Sequence, residues 1–259
     1  MNADMLYEEL EVATAARSIA ACYWRFHLGA GAPESVEHVI VPDGTTSLSV
    51  AVSPMGASPL LCAGPTRAAH VVQVHAGVFY GGVRLTPAAG AALLGVDGPS
   101  LRGRIGPWLG GDNQLGGLAC ALVELARTGA TGPADAVLSE LAIGVRLDPA
   151  AASVAQDLID KGGRGRIGDL AGETGLSERQ LRRRFFEAVG LTPKEFAGIR
   201  RLREACILAA ADHETWATAA AAADYADQAH LSRDVRTAFA QTPRRVARYL
   251  RRIEHRFVA

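Results

Sequence analysis

Ile167-Gly168-Asp169-Leu170-Ala171-Gly172-Glu173-Thr174-Gly175-Leu176-Ser177-Glu178-Arg179-Gln180-Leu181-Arg182-Arg183-Arg184-Phe185-Phe186-Glu187 reads as two helices around a tight turn. Ile167, Leu170, Ala171 and Thr174 share the inward face of the first helix. Gly175 permits the turn, and Ser177 is a natural N-cap for the second helix. Beyond the cap, Leu181 and Phe185 stand one turn apart and point inward. That spacing leaves Arg179, Arg182 and Arg183 together on the opposite face. An arginine-rich helix face is ordinarily just solvated. On the second helix of a helix-turn-helix, which enters the major groove, guanidinium forks are placed to read guanine or hold phosphate. Arg184 points away from the trio and is expected at a phosphate or in a salt bridge; Ser177 is a further candidate phosphate contact.

The pattern recurs over Trp216–Phe239. Trp216 and the alanines through Ala223 form the support, Tyr225 plugs the turn, and Asp227 caps the next helix. Leu231, Val235 and Phe239 face inward, leaving Gln228, Ala229, Arg233 and Arg236 toward the groove. Gln suits adenine, Ala a thymine methyl, and Arg guanine or phosphate. His230 reads equally as a structural histidine or a phosphate contact. Between the two heads, Thr192-Pro193 opens a helix expected to run to Ala211, with Phe196, Ile199, Leu202, Ile207 and Leu208 as its apolar face. About 18 residues span roughly 27 Å, a rod that would let both heads reach adjacent major grooves. Thr242-Pro243 repeats the opening after the second head. It starts a final basic helix in which Arg244 and Arg245 are candidate phosphate contacts, ahead of Arg248, Arg251 and Arg252.

Charge is divided to match. Residues 1–159 hold 8 Arg and no Lys against 14 acids, whereas residues 160–259 hold 17 Arg and 2 Lys against 13. A balance of −6 beside one of +6 is what a polyanion-binding module joined to a different domain should show. The 259 residues allow two domains. Cys22, Cys62, Cys120 and Cys206 are scattered in apolar contexts, which suggests neither a zinc site nor a disulfide framework. Asp4, Glu8, Glu9 and Glu11 are at odds with a signal peptide, and no uncharged apolar run approaches the ~18 residues of a membrane span. A cytoplasmic protein, without membrane association, cofactor, metal or catalytic residues, is expected.

The first 108 residues mix a short N-terminal helix with strand-like pieces at Val39–Val41, Thr46–Val52, His70–His75 and Val78–Leu85. Pro42-Asp43-Gly44 is turn chemistry, and Asp43 reads as a turn residue rather than a catalytic acid. Pro87–Leu94 reads as a short helix stopped by Gly95. From Asp112 the periodicity becomes helical through Ala126, and a second helix over Ala134–Arg146 ends before Asp148-Pro149. These two connector helices form either a small core or a dimer seam. Lys161–Gly165 looks like a hinge. Trp24, His27, His38, Arg67, His70, His75, Tyr80 and Arg84 are the side chains that could line an effector cavity. Trp24, Arg67, Tyr80 and Arg84 are the chosen candidates. His70 and His75 fall on opposite strand faces, which argues against a shared metal.

Leu176-Ser177-x-Arg179-x-Leu181-x-Arg183-x-Phe185, the Thr192-Pro193 helix, and Tyr225-x-Asp227-Gln228-x-His230-Leu231-Ser232-Arg233 through Thr242-Pro243 closely resemble the arabinose-regulator (AraC/XylS) family of bacterial transcription factors. The likeness covers about residues 157–252. It implies an all-helical domain of seven helices that binds double-stranded promoter DNA and activates or represses transcription, with RNA polymerase as a candidate partner. It also supports Arg179, Arg182 and Arg183, and Gln228, Ala229 and Arg233, as base-facing positions. Asp224 and Ala240 stand where the family usually has glycine, and Val235 where it often has Phe; these departures concern the second head. The N-terminal half is similar to a sensor-like domain found before this module in some members. The carrying residues are Tyr23-Trp24, Val41-Pro42-Asp43-Gly44, Gly64-Pro65 and Gly82-Val83-Arg84-Leu85-x-Pro87.

The expectation is therefore an α+β protein. Residues 1–108 form a mixed, strand-rich N-terminal domain, 109–156 a helical connector, and 157–259 an all-α domain with two helix-turn-helix motifs joined by a linker helix. Such a chain is a sequence-specific regulator, a homodimer whose N-terminal domain binds a small-molecule effector or mediates dimerisation. The rivals are an architectural or partner-controlled DNA-binder without a ligand, and a repair-type alkyltransferase. The latter needs an activated thiolate in a metal site or beside His, company that none of the four cysteines has.

Overall fold

Tyr23 alternates with Trp24, Leu48 with Ser47 and Ser49, and Val83 with Arg84, so paired strands carrying them present two unlike faces. The computed structural model describes residues 5–29, 31–110, 114–210 and 215–256. Its strands are β1 (Met5–Leu10), β2 (Ala20–Leu28), β3 (Ser35–Ile40), β4 (Ser47–Ser53), β5 (Gly56–Ala57), β6 (Leu61–Ala63), β7 (His70–His75), β8 (Phe79–Leu85), β9 (Ile105–Pro107) and β10 (Ile253–Arg256). The main sheet runs β10-β1-β2-β8-β4-β6-β9, with β5 against β4, while β3 and β7 form a separate antiparallel ribbon. Only β1–β10 is parallel among these pairs. The end of the described chain therefore adds a strand to the N-terminal sheet.

Helices α1 (Ala89–Leu94) and α2 (Gly98–Leu101) follow β8, then α3 (Gln114–Thr128) and α4 (Gly132–Gly144). Leu118, Leu122, Leu125 and Leu138 of α3 and α4 pack on Tyr23, Leu48, Val50, Val83 and Leu85, forming the first core. The remainder is helical: α5 (Pro149–Asp160), α6 (Ile167–Glu173), α7 (Glu178–Val189), α8 (Pro193–Ala210), α9 (Trp216–Ala222), α10 (Gln228–Phe239) and α11 (Pro243–Leu250). These seven helices build two further cores, one per head. Leu170, Leu181, Phe185 and Phe196 fill the first, and Leu202, Tyr225, Leu231 and Phe239 the second. The architecture is α+β, with a strand-rich N-terminal region and a helical C-terminal region in which α8 joins two helix-turn-helix units.

Several local expectations need correction. The N-terminal segment is a strand, not a helix. From that strand Glu8 and Glu9 reach across the sheet to Arg25 at 3.1 Å and Arg84 at 2.7 Å. Asp148-Pro149 does more than stop a helix: Asp148 accepts the Ala151 N–H and Pro149 occupies the first turn of α5. That helix crosses the expected boundary at 156, and Val154 and Leu158 pack into the core of the first head. Lys161–Gly165 is a bonded turn rather than a hinge. Gly163 N–H donates to the Leu158 carbonyl at 2.6 Å, and Arg164 pairs with Glu204 of α8 at 3.2 Å. Ile207, expected on the inward face of the linker helix, is 54% exposed. Asp112 and Ala211, at expected helix ends, lie outside the described residues.

The two departures from glycine are where the backbone turns left-handed. Asp224 (φ 58°) and Ala240 (φ 51°) are the non-glycine residues with positive φ among the described residues. They stand where the first head has Gly175 (φ 68°) and Gly190 (φ 80°). A side chain with a Cβ is strained there, Asp less so than Ala. Ala240→Gly is expected to stabilise the protein by about 1 kcal/mol, and Asp224→Gly by less. Urea denaturation checks this; no gain at Ala240→Gly would contradict a left-handed cap on α10.

Candidate nucleic-acid interface and the neighbouring cavity

Ser177 accepts the Gln180 N–H at 3.3 Å, while the Gln180 carbonyl oxygen accepts the Ser177 N–H at 3.0 Å. This reciprocal box fixes the start of α7. Burial of Leu181, Phe185 and Val189 then leaves Arg179, Arg182 and Arg183 exposed on one side. Arg182 pairs with Glu178 at 2.9 Å and Arg183 with Glu187 at 3.9 Å, with 60% and 73% of the arginine side chains open to solvent. Exposed pairs of this kind are weak and exchange readily for a phosphate or base edge. Arg184 differs: its Nε lies 2.7 Å from Asp148, the cap of α5. That pair assigns it to holding α5 against α7 and takes it out of the phosphate set.

In the second head Asp227 accepts the His230 N–H at 2.6 Å and so starts α10. Gln228, Ala229, Arg233 and Arg236 are exposed. His230 is half-buried, its ring edge-on to Tyr225 at 5.1 Å, a packing role in the turn. Arg244 and Arg245 are exposed at the start of α11. Neither reading face is covered by the N-terminal domain.

That domain grips the first head from behind. The missing Cβ of Gly98 would sit 2.3 Å from Gly190 N and 2.8 Å from Phe186 O, so α2 rests directly on the end of α7. Arg102 donates to Glu195 of α8 at 2.7 Å, and Arg67 lies 3.7 Å from the same carboxylate. Glu195 also accepts the Thr192 N–H at 2.9 Å, closing the cap of α8. Burial alone would raise the Glu195 carboxyl, but Arg102 and the Thr192 donors lower it to about 2.

A cavity of about 1280 Å³ opens on the other side, between the polar face of the sheet, the β3–β7 ribbon, α8 and α11. Trp24, Tyr80 and Arg84 line it, as do His38 and His70. Arg67, His27 and His75 are not among its lining residues; Arg67 is at the α8 contact described above. Sequence reasoning missed its other wall, made by Arg203, Cys206 and Ile207 of α8 and Arg248 of α11. The one available signal was spacing: Arg203, Ile207 and Ala210 recur at four and three, a stripe offset by one residue from Leu202, Cys206 and Ala209. On the sheet side, Arg84 lies 2.8 Å from Asp43 and 2.7 Å from Glu9. Burial would raise the Asp43 carboxyl, but Arg84 and then Arg203, with the Thr45 N–H and hydroxyl, hold it below the usual range. Asp43 is thus both the turn residue expected and the partner of a buried cation. Burial, with Arg203 beside it, pushes the Arg200 guanidinium down.

Burial raises the thiols of Cys22 and Cys62 to about 11 and that of Cys206 to about 12, the reverse of what alkyl transfer needs. No helix among the described residues is long and apolar enough to cross a membrane.

Residues 170–249 match the family model described as a helix-turn-helix domain. No curated protein sequence matches the chain. Among solved structures it is similar to ToxT from Vibrio cholerae O395 bound to (E)-4-(8-methylnaphthalen-1-yl)but-3-enoic acid, at 10% identity and a TM-score of 0.47 over 84% of this chain and 100% of that one. A second structure of ToxT from Vibrio cholerae O395 gives 9% identity and a TM-score of 0.46 over 84% and 98%. Wild-type ToxT from Vibrio cholerae strain SCE256, bound to an unsaturated fatty acid, gives 10% and 0.43 over 82% and 94%.

The low Glu195 value has a testable sign. Its folded pKa lies below the ordinary 4.5, so the stability it contributes is complete above pH 4.5 and is lost as pH falls through about 2. Glu195→Gln should therefore cost most in urea midpoint above pH 5, with the deficit shrinking steadily toward pH 2. A deficit that does not change over that range would contradict the ionised grip on the first head.

Proposed function

We propose that the chain, whose residues 170–249 match a helix-turn-helix domain, is a non-enzymatic, sequence-specific regulator of transcription of the arabinose-regulator (AraC/XylS) type. It lays α7 and α10 in adjacent major grooves of promoter DNA in the cytoplasm. The observation that carries the reading is the unbroken α8 between two capped, outward-facing recognition helices. Arg179, Arg182 and Arg183 read or position the first groove; Gln228, Ala229, Arg233 and Arg236 do so in the second. Ser177, Arg244 and Arg245 stand where phosphates would pass. His230 is left to its packing against Tyr225.

Residues 1–108, with α3 and α4 packed on their sheet, are the regulatory part, and the outer face of these two helices is the dimer seam. Ile143 of α4, 75% exposed, supports that last assignment. The cavity shared by the sheet, α8 and α11 is the effector site, with Trp24, Tyr80 and Arg84 in its wall. It lies between the regulatory and DNA-binding parts rather than inside the first. RNA polymerase is the partner through which a promoter-bound regulator would act.

Gel-shift titration against an operator selected from random DNA tests the interface. Arg183→Ala is expected to weaken specific binding by about 1–3 kcal/mol and to relax preference at one base position, whereas Arg245→Ala should weaken all sequences alike. Unchanged affinity and preference in Arg183→Ala would remove it from the contact set. Sedimentation of the same complex counts protomers: two are expected per operator, and one would remove the dimer.

A further inference from the structure

The cavity's walls are unlike in chemistry. Trp24, Phe26, Val72 and Ile207 give it broad apolar surface. Its described lining also holds six arginines against a single carboxylate, Asp43. That carboxylate is already engaged by Arg84 at 2.8 Å. Among the described residues, no ion pair holds Arg203, Arg244 or Arg248, and Arg203 faces the Arg84–Asp43 pair from α8. His70 adds an Nε2 that is buried without a hydrogen-bond partner. Positive charge confined beside low-dielectric walls attracts an anion, and apolar surface of this extent selects one with a hydrophobic body.

The walls are also unequally shared between the heads. No lining residue comes from α5, α6 or α7. The first head is held elsewhere, backbone against backbone at Gly98 and Gly190 and by Arg102 on Glu195. The second head is different. Its frame, the C-terminal half of α8 together with α11, is the cavity wall: Cys206 and Leu250 belong both to its core and to the lining. One tie to the regulatory part stands apart from the cavity, the Ala69 N–H donating to the Ala238 carbonyl of α10 at 2.7 Å; the others run along the rim. Val39 N–H donates to the Tyr249 hydroxyl at 2.8 Å, and that hydroxyl lies 2.7 Å from His38 Nδ1. Ile253 pairs with Met5 where β10 joins the sheet. His38, Val39 and Ile253 are all lining residues.

Resting on the reading of this cavity as the effector site, we propose that it takes an organic anion with an apolar body, bridged between the sheet and Arg203 and Arg248, and that occupancy is transmitted to the second head alone. The first head stays fixed to the regulatory part, so the effector changes how one of the two grooves is held and not the other.

Two dyes sharing one ring system separate the elements of this proposal in the full-length protein. 8-Anilinonaphthalene-1-sulfonate is the anion, and N-phenyl-1-naphthylamine is its uncharged counterpart. The sulfonate should bind saturably, one per chain, about ten-fold or more tighter than the neutral dye. Arg203→Gln should remove that advantage and leave the neutral dye unchanged, while Arg203→Lys keeps it; Arg248→Gln gives a second reading should Arg203→Gln fail to fold. Equal binding of the two dyes, or an advantage indifferent to both substitutions, overturns the anion assignment. If neither dye binds, the effector reading itself falls. Hydroxyl-radical footprinting with the sulfonate bound should alter protection only in the groove of the second head. Equal change in both grooves, or none in either, overturns the one-headed response.

Discussion

One helix serves three neighbours, and the protein depends on its remaining straight. Phe196 and Ile199 place the first turns of α8 in the core of the first head. Leu202, Cys206 and Ala209 place its last turns in the core of the second. Arg203, Ile207 and Ala210, turned by one residue, face the cavity. Because these stripes belong to a single hydrogen-bonded rod, the heads cannot change separation without breaking backbone hydrogen bonds or vacating a core. The Thr192–Glu195 box that starts the rod is also where Arg102 of the regulatory part takes hold.

This arrangement separates anchoring from response. Behind the first head the contact is glycine on backbone, with no room for adjustment at Gly98. Beside the second head it is one backbone hydrogen bond, Ala69 to Ala238, and a cavity rimmed by a few hydrogen bonds and one short parallel strand. Close packing resists graded motion, whereas α11, which lines the cavity without belonging to the rod, can take up a different position at modest cost. The exposure of both reading faces means that regulation need not uncover a hidden contact; it can act on how the second face is presented.

Much of the helical half was legible because its signals are local. Caps at Ser177, Asp227 and Thr192-Pro193 and the inward spacing of Leu181 and Phe185 depend only on near neighbours in sequence. The two missing glycines were legible too, since a left-handed turn makes a demand that Asp224 and Ala240 meet with strain. The sheet was harder. β6 and β9 have three residues each, too few to show a period, and β10 is a strand only because β1 offers it an edge. β1 was expected as a helix; it is a strand because β2 and β10 pair with it, and the ion pairs of Glu8 with Arg25 and Glu9 with Arg84 join residues far apart in the chain. Of the cavity only the sheet side was legible, through Trp24, Tyr80 and Arg84. The other walls come from α8 and α11, and an arginine such as Arg203 looks in sequence like any solvated helix residue.

The rigidity of α8 is tested most directly by operator spacing. In a selected operator the two grooves read by α7 and α10 can be moved apart by inserting about five or about ten base pairs, half a helical turn and a whole one. A fixed rod predicts that both insertions reduce binding to that of a single head, because restoring the face of the duplex does not restore the distance. Recovery of full affinity at the whole-turn insertion would contradict the account, since only heads joined by an extensible connection could follow the grooves apart.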